Sequence, residues 1–130
     1  MIIDSSAVLA ILLDEPRAAQ LSHAIASCPR PAMSAATYVE CAVVVDRRTG
    51  PAGRDRFDRI LDALRIEIAP FTAAQGRTAR EAYRRYGRGS GHPAHLNLGD
   101  TFSYAAAAES GLPLLFVGDD FAHTDITPAP

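Results

Sequence analysis

Lysine is missing from this chain: all 13 cationic side chains are arginine. A P-loop is thereby excluded, as is any mechanism that needs a lysine of this chain. Cysteine is scarce. Cys28 and Cys41 are the only two, and their spacing fits no metal motif, so they read as reduced packing residues. Long apolar runs are absent near the start. Ala7 to Leu13 is too short to cross a membrane and runs into Asp14-Glu15. Met1 leads straight into two isoleucines, with no charged segment before an apolar one. A cytoplasmic protein with no membrane segment is the expectation. Excess positive charge is lacking too. The net charge of −2 argues against a protein dominated by a nucleic-acid-binding surface.

What is present suffices for one domain over residues 1–130, with 48% apolar residues to build a core. Short apolar stretches alternate with helical patterns. Strands are expected at Ile2-Ile3, Ala32-Met33, Ile66 to Ile68, within Leu112 to Val117, and near Ile126. Helices are expected over Ala7–Leu13, Arg17–Ser27, Ala35–Arg48, Arg54–Leu64, Thr72–Tyr86 and Leu98–Ser110. Ser34, Thr72 and Asn97 stand as N-caps, and Gly111 as a stop. Gly50-Pro51-Ala52-Gly53 reads as a turn, and Gly87 to His95 as a loop. This alternation predicts a three-layer α/β/α sandwich around a central, mainly parallel sheet. Val8, Leu12 and Leu21 could face a partner, with core packing the plainer reading.

Most of the 15 acids lie among arginines or on polar helix faces, but a few do not. Asp4 ends an apolar strand. Glu40 interrupts Ala35 to Val45, where Thr37 is the only other polar residue. Asp100 opens a helix, and Asp119-Asp120 follow the last apolar strand. Each has an ordinary explanation. Asp4 before Ser5 is N-cap chemistry, Asp100 can complete a capping box with Asn97, and Asp119-Asp120 can form a surface turn. Glu40 is harder to explain, because a carboxylate in an apolar helix needs a cation, either an arginine or a metal ion. In parallel sheets, strand ends and the following helix starts share one edge, where ligands bind. Carboxylates gathered there without Cys or His suit Mg²⁺ or Mn²⁺, and such a metal suits phosphate-ester chemistry.

Met1-Ile2-Ile3-Asp4-Ser5-Ser6, Glu40 in its apolar helix, Leu96-Asn97-Leu98-Gly99-Asp100-Thr101-Phe102-Ser103-Tyr104-Ala105 and Leu114-Leu115-Phe116-Val117-Gly118-Asp119-Asp120-Phe121 resemble the motifs of PIN-domain proteins. The likeness is greatest to VapC-type toxins of bacterial toxin–antitoxin pairs, and it spans essentially the whole chain in order. It implies a Mg²⁺-dependent endoribonuclease (Mn²⁺ as alternative) that leaves 5′-phosphate and 3′-hydroxyl ends. It also implies RNA as substrate, a cognate antitoxin covering the acids, and a homodimer. Carried over by position, Asp4 and Asp100 are the main metal ligands, Glu40 completes the cluster, and Ser6 steadies Asp4. Many relatives carry an acid where this chain has Gly118. Asp119 is then expected to take the outer catalytic place, with Asp120 supporting it.

An acidic site repels RNA, so arginines elsewhere must hold it. Arg77, Arg80, Arg84 and Arg88 fall on one helical stripe if the helix passes Gly87, with Ala79, Ala82, Tyr83 and Tyr86 packed inward. A solvated face explains the stripe nearly as well. His92 and His95 lack a fixed helix to make them a metal pair, and His123-Thr124-Asp125 lies beside the outer acids. Three rival functions remain open. A receiver-type phosphoacceptor needs paired acids and a late lysine that this chain lacks. The others are a catalytically silent RNA-binding module and a metal-dependent phosphatase.

Overall fold

Ile2–Ile3 form β1, and both side chains are buried. Neighbouring residues of a strand point to opposite faces, and in the computed structural model, which describes residues 1–130, the two isoleucines enter different cores. Leu114–Leu115, which form β4 beside them, repeat the division. Leu115 joins Ile3, and Leu114 joins Ile2. Two-residue strands thus anchor both sides of the sheet.

β2 (Ala32–Ser34) and β3 (Glu67–Ala69) complete the sheet in the order β3-β2-β1-β4, all parallel. Helices α1 (Ser5–Leu12), α2 (Ala18–Ala26) and α3 (Ala35–Ala63) fill the first core through Val8, Leu21, Cys41 and Phe57. Helices α4 (Ala73–Tyr86) and α5 (Leu98–Ser110) close the other face with Ala82, Tyr86 and Tyr104. The expected α/β/α sandwich is present, and its sheet is wholly parallel. Strand order reverses at β1, with β2 and β3 to one side and β4 to the other. In such sheets the ligand crevice opens at that reversal, and Asp4 follows β1 there.

Ser34, Thr72 and Asn97 each accept a backbone N–H as N-caps, and Gly111 ends α5 at φ 66°. Four expectations need correcting. Gly50 to Gly53 is not a four-residue turn. Only Gly50 leaves helical geometry, at φ 64° and ψ −158°, and α3 bends there. Pro51 begins the next turn, where its missing N–H is not needed. Tyr83 is not packed inward but 40% exposed, because Ala79, Ala82 and Tyr86 already fill the inner face. Arg88 is off the stripe, because the chain departs from helix at Gly87. The strand near Ile126 reduces to one bridge, Leu114 to Pro128. Val8, Leu12 and Leu21 are all core residues. Both cysteines are free, and no helix is long and apolar enough to cross a membrane.

Candidate active site

Asp4 is both a helix cap and the centre of a hydroxyl cage. Its Oδ2 accepts the Ser6 backbone N–H at 2.9 Å and the Ser6 hydroxyl at 2.6 Å. Its Oδ1 accepts the Ser103 hydroxyl at 2.6 Å. Ser103 also meets the Thr37 hydroxyl at 3.1 Å. Ser6 Oγ accepts the Val117 N–H at 3.0 Å, tying α1 to the residues after β4. Asp4 is 3% exposed, and three donors hold its carboxylate in one orientation. The cap explanation of Asp4 is therefore correct for one oxygen. It does not account for the donor from α5, which lies 99 residues away in sequence.

Asp100 likewise completes the capping box. Its Oδ2 accepts the Asn97 N–H at 2.7 Å while Asn97 Oδ1 accepts the Asp100 N–H at 2.9 Å. Burial nevertheless raises its carboxyl to about 7, against the lowering effect of the Asn97 bond, and the charges of Asp4, Asp120 and Glu40 add to the rise. Glu40 is half-buried on α3, and burial and then Asp4 raise its carboxyl too. The same burial and the same two acids push the Cys41 thiol up to about 12, which leaves it inert.

Gly99 explains how Glu40 comes so near α5. A Cβ on Gly99 would lie 1.9 Å from Glu40 Oε1. Only a residue without a side chain lets the carboxylate rest against the start of α5.

The structure therefore brings Asp4, Glu40, Asp100 and Asp120 into one electrostatic neighbourhood. Asp119 and Asp120 are both exposed where the 3-10 turn Asp120–His123 begins, and of the two Asp120 is among the leading charges acting on Asp100. Asp125 faces elsewhere. It accepts the Tyr104 hydroxyl at 2.7 Å and pairs with Arg85 at 3.6 Å, fastening the tail to α4 and α5. His92 is a loop fastener, its Nδ1 accepting the Ala94 N–H. Of the arginines, Arg77, Arg80 and Arg84 line one depression with Glu81 and Tyr83, and Arg84 is ion-paired to Glu81.

No ion pair of the chain includes Asp4, Glu40, Asp100, Asp119 or Asp120. Of the two cation sources the sequence left open for Glu40, no arginine of this chain lies within ion-pair distance. Like charges gathered around the buried Asp4 and the half-buried Glu40 and Asp100 without a counter-ion are costly, and an all-oxygen donor set fits a hard divalent cation. As the side chains stand, no three of them already form a metal-ligating set. Asp4 and Asp100 keep unshared lone pairs for one.

Sequence reasoning missed Ser103, Thr37 and Gly99 as parts of the site. A signal was available. Ser103 lies three residues after Asp100, and Thr37 three before Glu40, so each hydroxyl shares a helical face with its acid.

Residues 1–126 match the PIN-domain family. The chain is 52% identical over 129 residues to Ribonuclease VapC42 of Mycobacterium tuberculosis, covering 99% of this chain and 98% of that protein. Among solved structures, it is similar to VapC20 of Mycobacterium tuberculosis, a Sarcin-Ricin loop cleaving toxin, at TM-score 0.77 and 18% identity over 97% of this chain and 95% of that one. A toxin–antitoxin complex from Klebsiella pneumoniae has a chain of the same fold, at TM-score 0.71 and 19% identity over 95% and 92%. Alternating cores around a parallel sheet, acids at its reversal point and near-complete alignment lead to one conclusion: the chain belongs to the PIN-domain family, in its VapC branch.

Proposed function

We propose that this chain is a metal-dependent endoribonuclease and the toxin of a toxin–antitoxin pair. The observation that carries the reading is the gathering of Asp4, Glu40, Asp100 and Asp120 with no cationic side chain among them. The 52% identity to a named ribonuclease supports the choice of RNA over a small phosphate ester. Asp4 and Asp100 would hold Mg²⁺ or Mn²⁺, with Asp120 as the outer acid. Bound there, the metal would make its water more acidic and offset charge on the phosphoryl oxygens.

The chain's own residues do the rest. Ser6 and Ser103 hold both oxygens of Asp4 so that the carboxylate does not reorient. The Asn97 N–H holds one oxygen of Asp100 and leaves the other free. Glu40, resting against Gly99, takes the proton from the attacking water at an Oε atom. Burial, and then the charge of Asp4, raise its carboxyl, the direction that favours a base. Partner antitoxin and homodimer belong to the same reading, and the fold shared with a toxin–antitoxin complex supports the first.

The test is cleavage of a panel of structured RNAs with Mg²⁺, Mn²⁺ or EDTA, comparing wild type with Asp4→Asn and Asp100→Asn. Metal-dependent cutting lost in both variants is expected. Cutting in EDTA, or full activity in both variants, would overturn the reading. RNA binding without cutting in any metal would favour the silent module.

A further inference from the structure

Two depressions on α4 share a wall. The cationic one holds Arg77, Arg80 and Arg84. The other is a groove of about 320 Å³ between α4 and the start of α5, and Arg80 and Tyr83 line both. Phe71 and Phe102 form the groove's aromatic wall, edge to face at 5.3 Å and 71°. Leu98 and Thr101, from the start of α5, also line it.

Its exposure calls for an occupant. Leu98 is 65% exposed and Tyr83 40%, so this chain covers neither. The charge beside them narrows the choice. Glu81 neutralises Arg84, whereas Arg77 and Arg80 have no acidic partner. An apolar peptide would fill the groove and leave both arginines unused. A flat aromatic ring attached to a phosphate matches both halves. Stacking on aromatic side chains beside a cationic track is how unpaired nucleic acid is gripped, and a base still inside a duplex could not enter.

We propose that this groove receives one unpaired base of the RNA substrate, with a neighbouring phosphate on Arg77 and Arg80. The proposal rests on the ribonuclease reading and adds to it the place on the fold where an unpaired base is held.

Gly76 offers a clean test. It lines the groove, and a Cβ there would lie 3.9 Å from the Phe71 ring, an ordinary contact. Gly76→Leu therefore fills the space while leaving every acid and arginine in place, and leucine suits a helix better than glycine. The probe is a short single-stranded oligoribonucleotide carrying one 2-aminopurine, titrated with the full chain in EDTA. A matched strand is abasic at that position, and both strands are also tested for cleavage in Mg²⁺.

Wild type should quench 2-aminopurine and bind the intact strand about tenfold more tightly than the abasic one. Gly76→Leu should abolish the quench and bind both strands alike. Arg77→Gln with Arg80→Gln should reduce the logarithmic salt slope by about 0.7 per arginine. Equal binding of intact and abasic strands by wild type, which needs no variant, would overturn the groove. So would a Gly76→Leu chain that changes only its oligomeric state. If wild type still cuts RNA in either case, the ribonuclease reading survives. Failure to bind or cut any RNA would remove both.

Discussion

Gly99→Ala asks whether one missing methyl group positions Glu40. The added Cβ would lie 1.9 Å from Glu40 Oε1, 2.2 Å from Cδ and 2.3 Å from Oε2. To reach ordinary contact the carboxylate must withdraw by about 1.5 Å, a displacement of the size that can cost on the order of 100-fold in rate when a reacting group is misplaced. The obstructed group is the far end of a flexible side chain, so the fold can yield without unfolding. Alanine is favoured over glycine in a helix by up to about 1 kcal/mol, so stability should stay level or rise slightly. The expected outcome is therefore unusual: a chain at least as stable as wild type that cuts RNA about 100-fold more slowly. The assay is single-turnover cleavage in Mg²⁺, paired with denaturant unfolding followed by circular dichroism. A double-mutant cycle isolates the cause. With Glu40→Ala already present, Gly99→Ala should cost nothing further. A full additional loss in that background would refute the reasoning, as would wild-type cleavage by the single variant.

Removing the hydroxyl in Ser103→Ala takes a donor from Asp4 and leaves Thr37 buried without its partner. Unfolding midpoints should fall by the equivalent of about 1–3 kcal/mol, and cleavage should fall with them. Of the outer acids, Asp120→Asn should weaken Mg²⁺ activation more than Asp119→Asn, because Asp120 is the one among the leading charges acting on Asp100. Equal effects would return Asp119 to the outer place. Metal-free stability should depend on pH through Asp100, whose carboxyl rises from 3.8 to about 7 on folding. Between those values the folded chain keeps a proton that the unfolded chain has lost. The stability this contributes is complete below 3.8 and gone above about 7. Thermal midpoints should thus drop as pH climbs through this window, and Asp100→Asn should flatten the drop.

Much of this was legible because local chemistry and tertiary structure agree. Asn97, Asp100 and Gly111 mark α5 by capping rules alone, and α5 runs between them. Ile2-Ile3 followed by an acid marked a strand end, and Asp4 lies at the sheet's reversal point. Other features depend on contacts that spacing does not encode. Which of Asp119 and Asp120 faces the cluster depends on one 3-10 turn. Gly99 looked like an ordinary helix residue, because its function comes from Glu40, 59 residues earlier on another helix. Arg88 was misplaced because Gly87 ends α4 one residue before it. Tyr83 was misjudged because its angular position borders the inner face without belonging to it.

The division of Ile2 and Ile3 between two cores limits how this chain can vary in length. A strand's side chains alternate with a period of two. Adding or deleting one residue between β1's pairing positions and Asp4 would send each isoleucine into the other's core if Asp4 stays in place. If the strand keeps its register instead, the change would turn Asp4 away from Ser103. Helix α5 offers no slack to follow it, being fixed at both ends by Asn97 and Gly111. Around Gly89 and Gly91, both at positive φ with open space about them, a change of length disturbs neither core. A one-residue indel scan should find the first strand intolerant at every position and the glycine loop permissive.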